Sequence, residues 1–372
     1  MAYLGENIKK LGFGLMRLPM LGDEVDIEQT KQMVDRFMEE GFTYFDTAYV
    51  YQGGLNESLF GELVASRYER ERFTVTTKMP VFAIKTAEDY PRIFAEQLER
   101  CKVSYFDYYL LHALNRNTYQ KAMETGAFDF IARMKAEGKI RCIGFSYHDD
   151  AETLEKILSE HPEIELVQLQ LNYLDWEDEK VQGRLCHEVC VRHGVKVAVM
   201  EPLKGGALIR IPEKAAERLQ EAVFSRSIPD WGFRFAANLE NVIVVLSGMS
   251  TFEQVEENTD VFDRMSPLTD GELAALRETA DIIRESIAVP CTACSYCTDS
   301  CPSKINIPAL FALYNNHHRF GMLPSYRDRF ADIAKKGGKP SDCIECRLCE
   351  SHCPQKIAVA DELKKVKEIF EG

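Results

Sequence analysis

The sequence predicts an α/β chain in which a (β/α)8 barrel precedes a small, mainly α-helical second domain. Three observations carry this. Strand-like and helix-like stretches alternate from Lys10 to about Met265. The strands are short and apolar, as strands buried between helices are. Finally, eight of the 12 cysteines crowd into residues 291–354.

Residues 10–18 read as a Gly-rich strand and 27–40 as an amphipathic helix stopped by Gly41. Residues 43–49 are the second strand and 57–70 the next helix. The alternating, β-branched run at 73–79 is the third strand, with a helix over 91–101. Strand four spans 107–112, and a helix over 127–137 ends at Gly138. Strand five spans 140–146 with a helix over 150–159; strand six spans 166–172 with a helix over 180–193, closed by Gly194. Strand seven, 196–200, runs into Glu201-Pro202-Leu203 and precedes helices over 212–224 and 229–238. Strand eight is 242–247, followed by helices over 251–262 and 270–286. A doubly wound sheet would carry a Gly-rich dinucleotide fingerprint after its first strand, and Gly12-Phe13-Gly14 lacks the third glycine. The expected division is a barrel over 1–286 and a second domain over 287–372.

A net charge of −14 argues against a nucleic-acid binder, because phosphate contact needs clustered Lys and Arg. The first ten residues lack the apolar core of a signal peptide, and no run of 18 or more apolar residues exists. A cytoplasmic protein without a membrane partner is expected. Its cysteines are then to be explained by metal chemistry or burial, not by disulfides.

In a barrel, side chains at the C-terminal strand ends and in the loops beyond them build the active-site face. Asp46 and Tyr51 follow strand two, Lys78 ends strand three and His112 ends strand four. Ser146 ends strand five, and Gln168, Gln170 and Asn172 lie along the end of strand six. Singly, each is an ordinary structural residue; three consecutive strand ends carrying Asp, Tyr, Lys and His suit proton donation to a carbonyl that accepts hydride. A free phenol titrates near ~10, and a neighbouring ammonium is expected to lower Tyr51 toward a useful range. Asp46 would keep Lys78 charged and placed, and His112 would orient and polarise the carbonyl.

Phe45-Asp46-Thr47-Ala48, Tyr51, Thr77-Lys78, Leu111-His112 and Ile143-Gly144-Phe145-Ser146 together resemble the signature set of the aldo/keto reductases, TIM-barrel enzymes, over about residues 5–265. The resemblance implies reduction of aldehyde or ketone carbonyls by NADPH, with Asp46, Tyr51, Lys78 and His112 as the catalytic tetrad. It also implies that Ser146 and Gln168 hold the nicotinamide carboxamide. Pro202, Leu203, Lys204, Gly205 and Gly206 would lie along the pyrophosphate, and Ser247–Met249 with Gln254, Glu257 and Asn258 around the adenosine half. Met200 stands where the family often stacks an aromatic ring, and Tyr147-His148 replace the Asn expected after Ser146. Gln254 and Gly248 replace the Arg and Lys that commonly hold the 2′-phosphate, which leaves NADP or NAD open as the cofactor.

Cys291-x-x-Cys294-x-x-Cys297-x-x-x-Cys301-Pro302 recurs as Cys343-x-x-Cys346-x-x-Cys349-x-x-x-Cys353-Pro354. This is the bacterial ferredoxin run, twice over, and predicts two 4Fe-4S clusters. Because the fourth Cys of such a run ligates the other cluster, one would take Cys291, Cys294, Cys297 and Cys353, the other Cys343, Cys346, Cys349 and Cys301. Zinc is the alternative that paired Cys-x-x-Cys allows. Residues 307–317 and 325–335 in the long spacer look helical, which resembles the α-helical ferredoxin type. Cys101, Cys142, Cys186 and Cys190 are expected as buried apolar fillers.

Three roles for the whole follow. The chain is a carbonyl reductase with an attached cluster domain, or an electron-transfer protein whose barrel binds a nicotinamide or a partner without carbonyl turnover, or a barrel whose clusters staple its C-terminal segment. Hydride carries two electrons together and a 4Fe-4S cluster takes one, and no flavin motif is present to split them. The intact tetrad favours the reductase, with a small-molecule carbonyl as substrate and a redox protein as partner for the clusters.

Overall fold

Eight short parallel strands close on themselves in the computed structural model, which describes residues 8–320, 322 and 324–372. The strands are β1 (Leu11–Gly14), β2 (Tyr44–Asp46), β3 (Thr74–Met79), β4 (Phe106–Leu114), β5 (Ile140–Tyr147), β6 (Leu166–Gln170), β7 (Lys196–Met200) and β8 (Val242–Ser247). Each pairs with its successor, and β8 returns to β1 through Leu11↔Val245 and Phe13↔Ser247. Most of the first ten residues, read above for export signals, lie outside the described residues. Among the described residues no helix is long and apolar enough to cross a membrane.

Side chains alternate along a strand, and that period of two layers the barrel interior. Tyr44, Tyr108, Leu110, Cys142, Leu166, Ala198, Val244 and Leu246 pack into one buried cluster. Two positions beyond Tyr44, Cys142 and Leu166 come Asp46, Gly144 and Gln168, so the polar residues stand one layer above the apolar ones. Gly144 is required where it stands, because a Cβ there would meet Leu166 O at 2.0 Å.

Several elements differ from their expected bounds. The first strand stops at Gly14 and turns through a 3-10 segment, Leu15–Arg17. The helix expected over 57–70 is Asn56–Phe60 followed by a π-turn, Gly61–Ala65. Gly61 is pressed against the neighbouring helix, where a Cβ would meet Arg100 O at 2.2 Å. A helix absent from the expectation, Arg116–Thr125, starts at a capping box formed by Asn115 and Thr118.

The chain divides into two compact units. The first runs to Glu177 and adds Gln182–Pro202 and Asp230–Leu268; it contains all eight strands. The second comprises Asp178–Val181, Leu203–Pro229 and Thr269–Gly372. Within the second unit, helices Glu213–Ala222 and Asp270–Ser286 are tied by Arg218–Glu278 (2.5 Å), and Arg226 pairs with Glu272 at 2.7 Å. Its C-terminal part is built twice. Left-handed residues Ala293, Ser295 and Lys304 recur 52 positions later as Glu345, Arg347 and Lys356, and the helices starting at Ile307 and Val359 follow in the same register. Ile305, Ile307, Leu310, Phe311, Val359, Leu363 and Val366 form the shared core.

Candidate active site and cluster cavities

Asp46, Lys78, Ser146 and Gln168 lie near the C-terminal ends of their strands, all at most 3% exposed. Lys78 Nζ donates to Asp46 Oδ1 at 2.6 Å and to Thr47 O at 2.8 Å, and stands 3.5 Å from the Tyr51 hydroxyl. The Gln168 amide donates to the other oxygen of Asp46 at 3.2 Å. His112 lies edge-on to the Tyr51 ring, centroids 5.8 Å apart. Its strand is kinked just beyond it: Ala113 takes a left-handed φ of 57° and gives its N–H to Ser146 Oγ at 2.8 Å. Ser146 is thereby oriented by the preceding strand, and the His112 Nδ1 is buried with no hydrogen-bond partner among the described residues.

A turn makes Tyr51 available. Gln52, Gly53 and Gly54 all take positive φ, 47°, 65° and 92°, reversing the chain immediately after the phenol. The residues this turn delivers, Asn56 and Glu57, brace the lysine from behind. Asn56 accepts from the Thr47 hydroxyl at 2.6 Å, steadying the carbonyl that Lys78 uses. Glu57, fully buried, accepts from the Thr77 hydroxyl at 2.6 Å and from Gln97 at 2.7 Å; Gln97 also donates to Lys78 O at 3.1 Å. Sequence reading missed this support; the Asn56-Glu57 pair opening a helix right after the turn was its only local sign.

The electrostatics correct one expectation. Burial first, and then the Asp46 carboxylate, hold the Tyr51 phenol above its ordinary range, the opposite of the lowering expected from Lys78 alone. Lys78 spends its charge on Asp46, 2.6 Å away, so little remains to stabilise a phenolate. The site therefore presents a firmly protonated phenol. Burial, then the Lys78 ammonium and His148, hold His112 well below its usual value, so its imidazole is neutral. His148 is pushed down to about 4 by burial and then by Lys78.

These histidines give a stability prediction. A histidine kept neutral by the fold takes up its proton only in the unfolded chain, so its contribution is complete above pH 6.5 and is lost as pH falls toward about 4. Urea unfolding midpoints should fall with acid across that window, and the slope should shrink in His148→Gln. An unchanged slope would remove His148 from this account.

Other predicted residues fall differently. Gln170 and Asn172 both donate to Asp175 at 2.9 Å and build the loop after β6. Asn258 donates to Ser247 Oγ at 3.1 Å, Gln254 accepts from Ser250 N–H at 2.7 Å, and Glu257 is exposed. Gly248 is exposed, and a Cβ there would meet Arg17 Cβ and Cδ at 3.1 Å. Arg17, overlooked in the sequence, thus lies against the position where a lysine was expected. Pro202 ends the first unit, while Leu203 and Gly205 belong to the second. Phe82, 45% exposed with its ring 5.7 Å from His112, offers an apolar wall to a substrate.

In the second unit, Cys291, Cys294, Cys297 and Cys353 line one cavity, with Ile307, Phe311 and Gln355 among its other walls. Cys301, Cys343, Cys346 and Cys349 line another. Each cavity takes three cysteines from one run and the fourth from the other. Burial pushes the Cys297 thiol up to about 12 and Cys349 to about 11, the crowding of other thiols adding to it. Four thiolates around one apolar void need compensating metal charge. Among the described residues no group of three His, Cys, Asp or Glu is arranged to hold a single metal ion. The donor set and the void fit a 4Fe-4S cluster. Cys101, Cys142, Cys186 and Cys190 are buried, as expected.

The chain matches the profile of the aldo/keto reductase family over residues 10–281. It belongs to that family. Membership puts it among the NAD(P)H-dependent oxidoreductases, and residues 290–358 match the 4Fe-4S dicluster domain. Similar relatives include an aldo-keto reductase of Mycolicibacterium paratuberculosis, 29% identical over 70% of this chain and 83% of that one. A probable aldo-keto reductase of Glycine max is 28% identical over 54% of this chain, which spans only 58% of that relative's length. Among solved structures, an aldo/keto reductase from Klebsiella pneumoniae in complex with NADP and acetate superposes with a TM-score of 0.59. It shares 21% identity over 74% of this chain and 93% of its own, a likeness of fold.

Proposed function

We propose that this aldo/keto reductase reduces the carbonyl of a small aldehyde or ketone, with Tyr51 as proton donor. The observation that carries the reading is the chain Asp46–Lys78–Tyr51, its carboxylate and ammonium buried and its contacts 2.6 and 3.5 Å, beside a neutral His112. Bound NADPH or NADH would supply the hydride. Lys78 donates to the phenol oxygen as it gives up its proton, Asp46, itself held by Gln168, keeps the ammonium in place, and His112 donates to the substrate oxygen from one nitrogen. Ser146 and Gln168 would hold the carboxamide, and the loop Pro202, Leu203, Lys204, Gly205 and Gly206 would lie along the pyrophosphate. Gly248, Gln254, Glu257 and Asn258 would face the adenosine half. Residues 1–286 form the reductase part and 287–372 the cluster part, with two 4Fe-4S clusters on the eight lining cysteines.

The resting phenol is a weak acid, yet an alkoxide formed by hydride addition is a stronger base than phenolate, so the transfer runs downhill. An anaerobic assay of aldehydes and ketones with each dinucleotide tests the reading. Arg17 bears on the choice between them. Its aliphatic stem lies against Gly248, and its guanidinium would supply the charge that Gln254 cannot. Arg17→Ala should raise the KM for NADPH about tenfold, the worth of one charge-assisted contact, and leave that for NADH unchanged; equal effects on both would exclude a 2′-phosphate role.

A second reading concerns the clusters. Cys346 is exposed, and Ile344 and Leu348 beside it are 67% and 48% exposed. An apolar patch at the edge of the second cavity favours electron exchange with an external one-electron carrier.

A further inference from the structure

Lys204 is a lysine in an improbable place. It is 2% exposed, in the loop after β7, and its backbone takes a left-handed φ of 48° followed by Gly205 and Gly206 at 61° and 91°. A long non-glycine side chain tolerates that conformation only where its surroundings hold it. Its Nζ donates to Gln355 Oε1 at 2.7 Å, a bond between residues 151 positions apart within the second unit. Gln355 is itself 4% exposed and lines the cavity of Cys291, Cys294, Cys297 and Cys353. One amide therefore separates a buried ammonium from the first cluster cavity.

We infer that Lys204 links dinucleotide binding to the redox state of the first cluster, through Gln355. This rests on the reading above, in which the Lys204 loop carries the pyrophosphate and the cavity a 4Fe-4S cluster. The physical argument is competition for one charge. Reduction adds a negative charge to the cavity, and a buried cation nearby favours the reduced state. The pyrophosphate of a bound dinucleotide is also an anion and draws on the same ammonium. Each anion then weakens the attraction for the other, and the coupling is reciprocal. Oxidised protein binds the dinucleotide more tightly than reduced protein, and binding lowers the potential of the first cluster. No electron passes between nicotinamide and cluster in this scheme, so the mismatch between hydride and one-electron chemistry does not arise.

The test uses the full chain, loaded with iron and sulfide under anaerobic conditions. NADP+ affinity is measured by calorimetry on the oxidised and the dithionite-reduced protein, and cluster potentials by EPR-monitored titration with and without saturating NADP+. The expected result is an affinity at least about fivefold weaker in the reduced protein, at the low end of allosteric couplings. One cluster's potential should fall correspondingly by about 40 mV, at 59 mV per tenfold for one electron. In Lys204→Met that cluster should start at a lower potential, and NADP+ should not move it; Lys204→Arg, which keeps the charge, should retain the shift. Equal affinity in both redox states, or a shift that survives in Lys204→Met, overturns the coupling while leaving the reductase reading standing. If the loaded chain binds no NADP+ at all, both fall together. The wild-type comparison alone decides the matter should either variant fail to fold.

Discussion

Tyr51→Phe should cut NADPH-dependent carbonyl reduction by about 10²–10⁴-fold, the usual worth of a positioned general acid, and leave dinucleotide binding intact. Among the described residues the phenol is the one hydroxyl that Lys78 approaches, its other contacts being Asp46 and a backbone carbonyl. Phe keeps the ring that packs edge-on against His112 but removes the proton. The pH dependence follows from the same geometry. An acid works only while protonated, and burial and Asp46 hold this one above its usual range. The rate kcat/KM, which reports the free enzyme, should therefore stay flat through ordinary phenol titration near ~10. A descending limb in the neutral range would show that Lys78 does lower the phenol. Unchanged turnover in Tyr51→Phe would remove Tyr51 from its role.

Stripping the iron, or replacing Cys297 or Cys349 by Ser, should unravel the C-terminal segment while the barrel survives. Both thiols are buried, and the two cavities lie inside the core that joins the helices beginning at Ile307 and Val359. Without clusters that core is left around two cavities lined by thiols, and nothing ligates the two cysteine runs to each other. Ligation then supplies folding free energy, on the order of 10 kcal/mol for comparable structural metals. Far-ultraviolet dichroism should lose helix after chelation under reductant, and limited proteolysis should cut within 287–372 first. Full protection of that segment in iron-free protein would contradict a stabilising role.

The parts legible in the sequence are those with a local rule. Asp46, Lys78, His112, Ser146 and Gln168 could be found because a strand's alternation and its end are visible in the chain itself. The cysteine runs were legible for the same reason, since ligand spacing within a run is local. Arg17, Glu57 with Gln97, and Lys204 with Gln355 were not, because their meaning depends on partners 40 to 233 residues away. The direction of the Tyr51 shift was misread because burial and the sharing of Lys78 with Asp46 are properties of packing. The helix after Tyr51 gives way at Gly61 to a π-turn, where the glycine packs against the Arg100 backbone, a contact no helical periodicity announces.

The most direct test of the central claim is a product balance. The iron-loaded chain, NADPH and a reducible aldehyde are mixed without oxygen, and alcohol formed is counted against NADPH consumed while the cluster spectrum is followed. One alcohol per NADPH, with the clusters unchanged, is the predicted result. NADPH oxidised without alcohol while the clusters become reduced would contradict it.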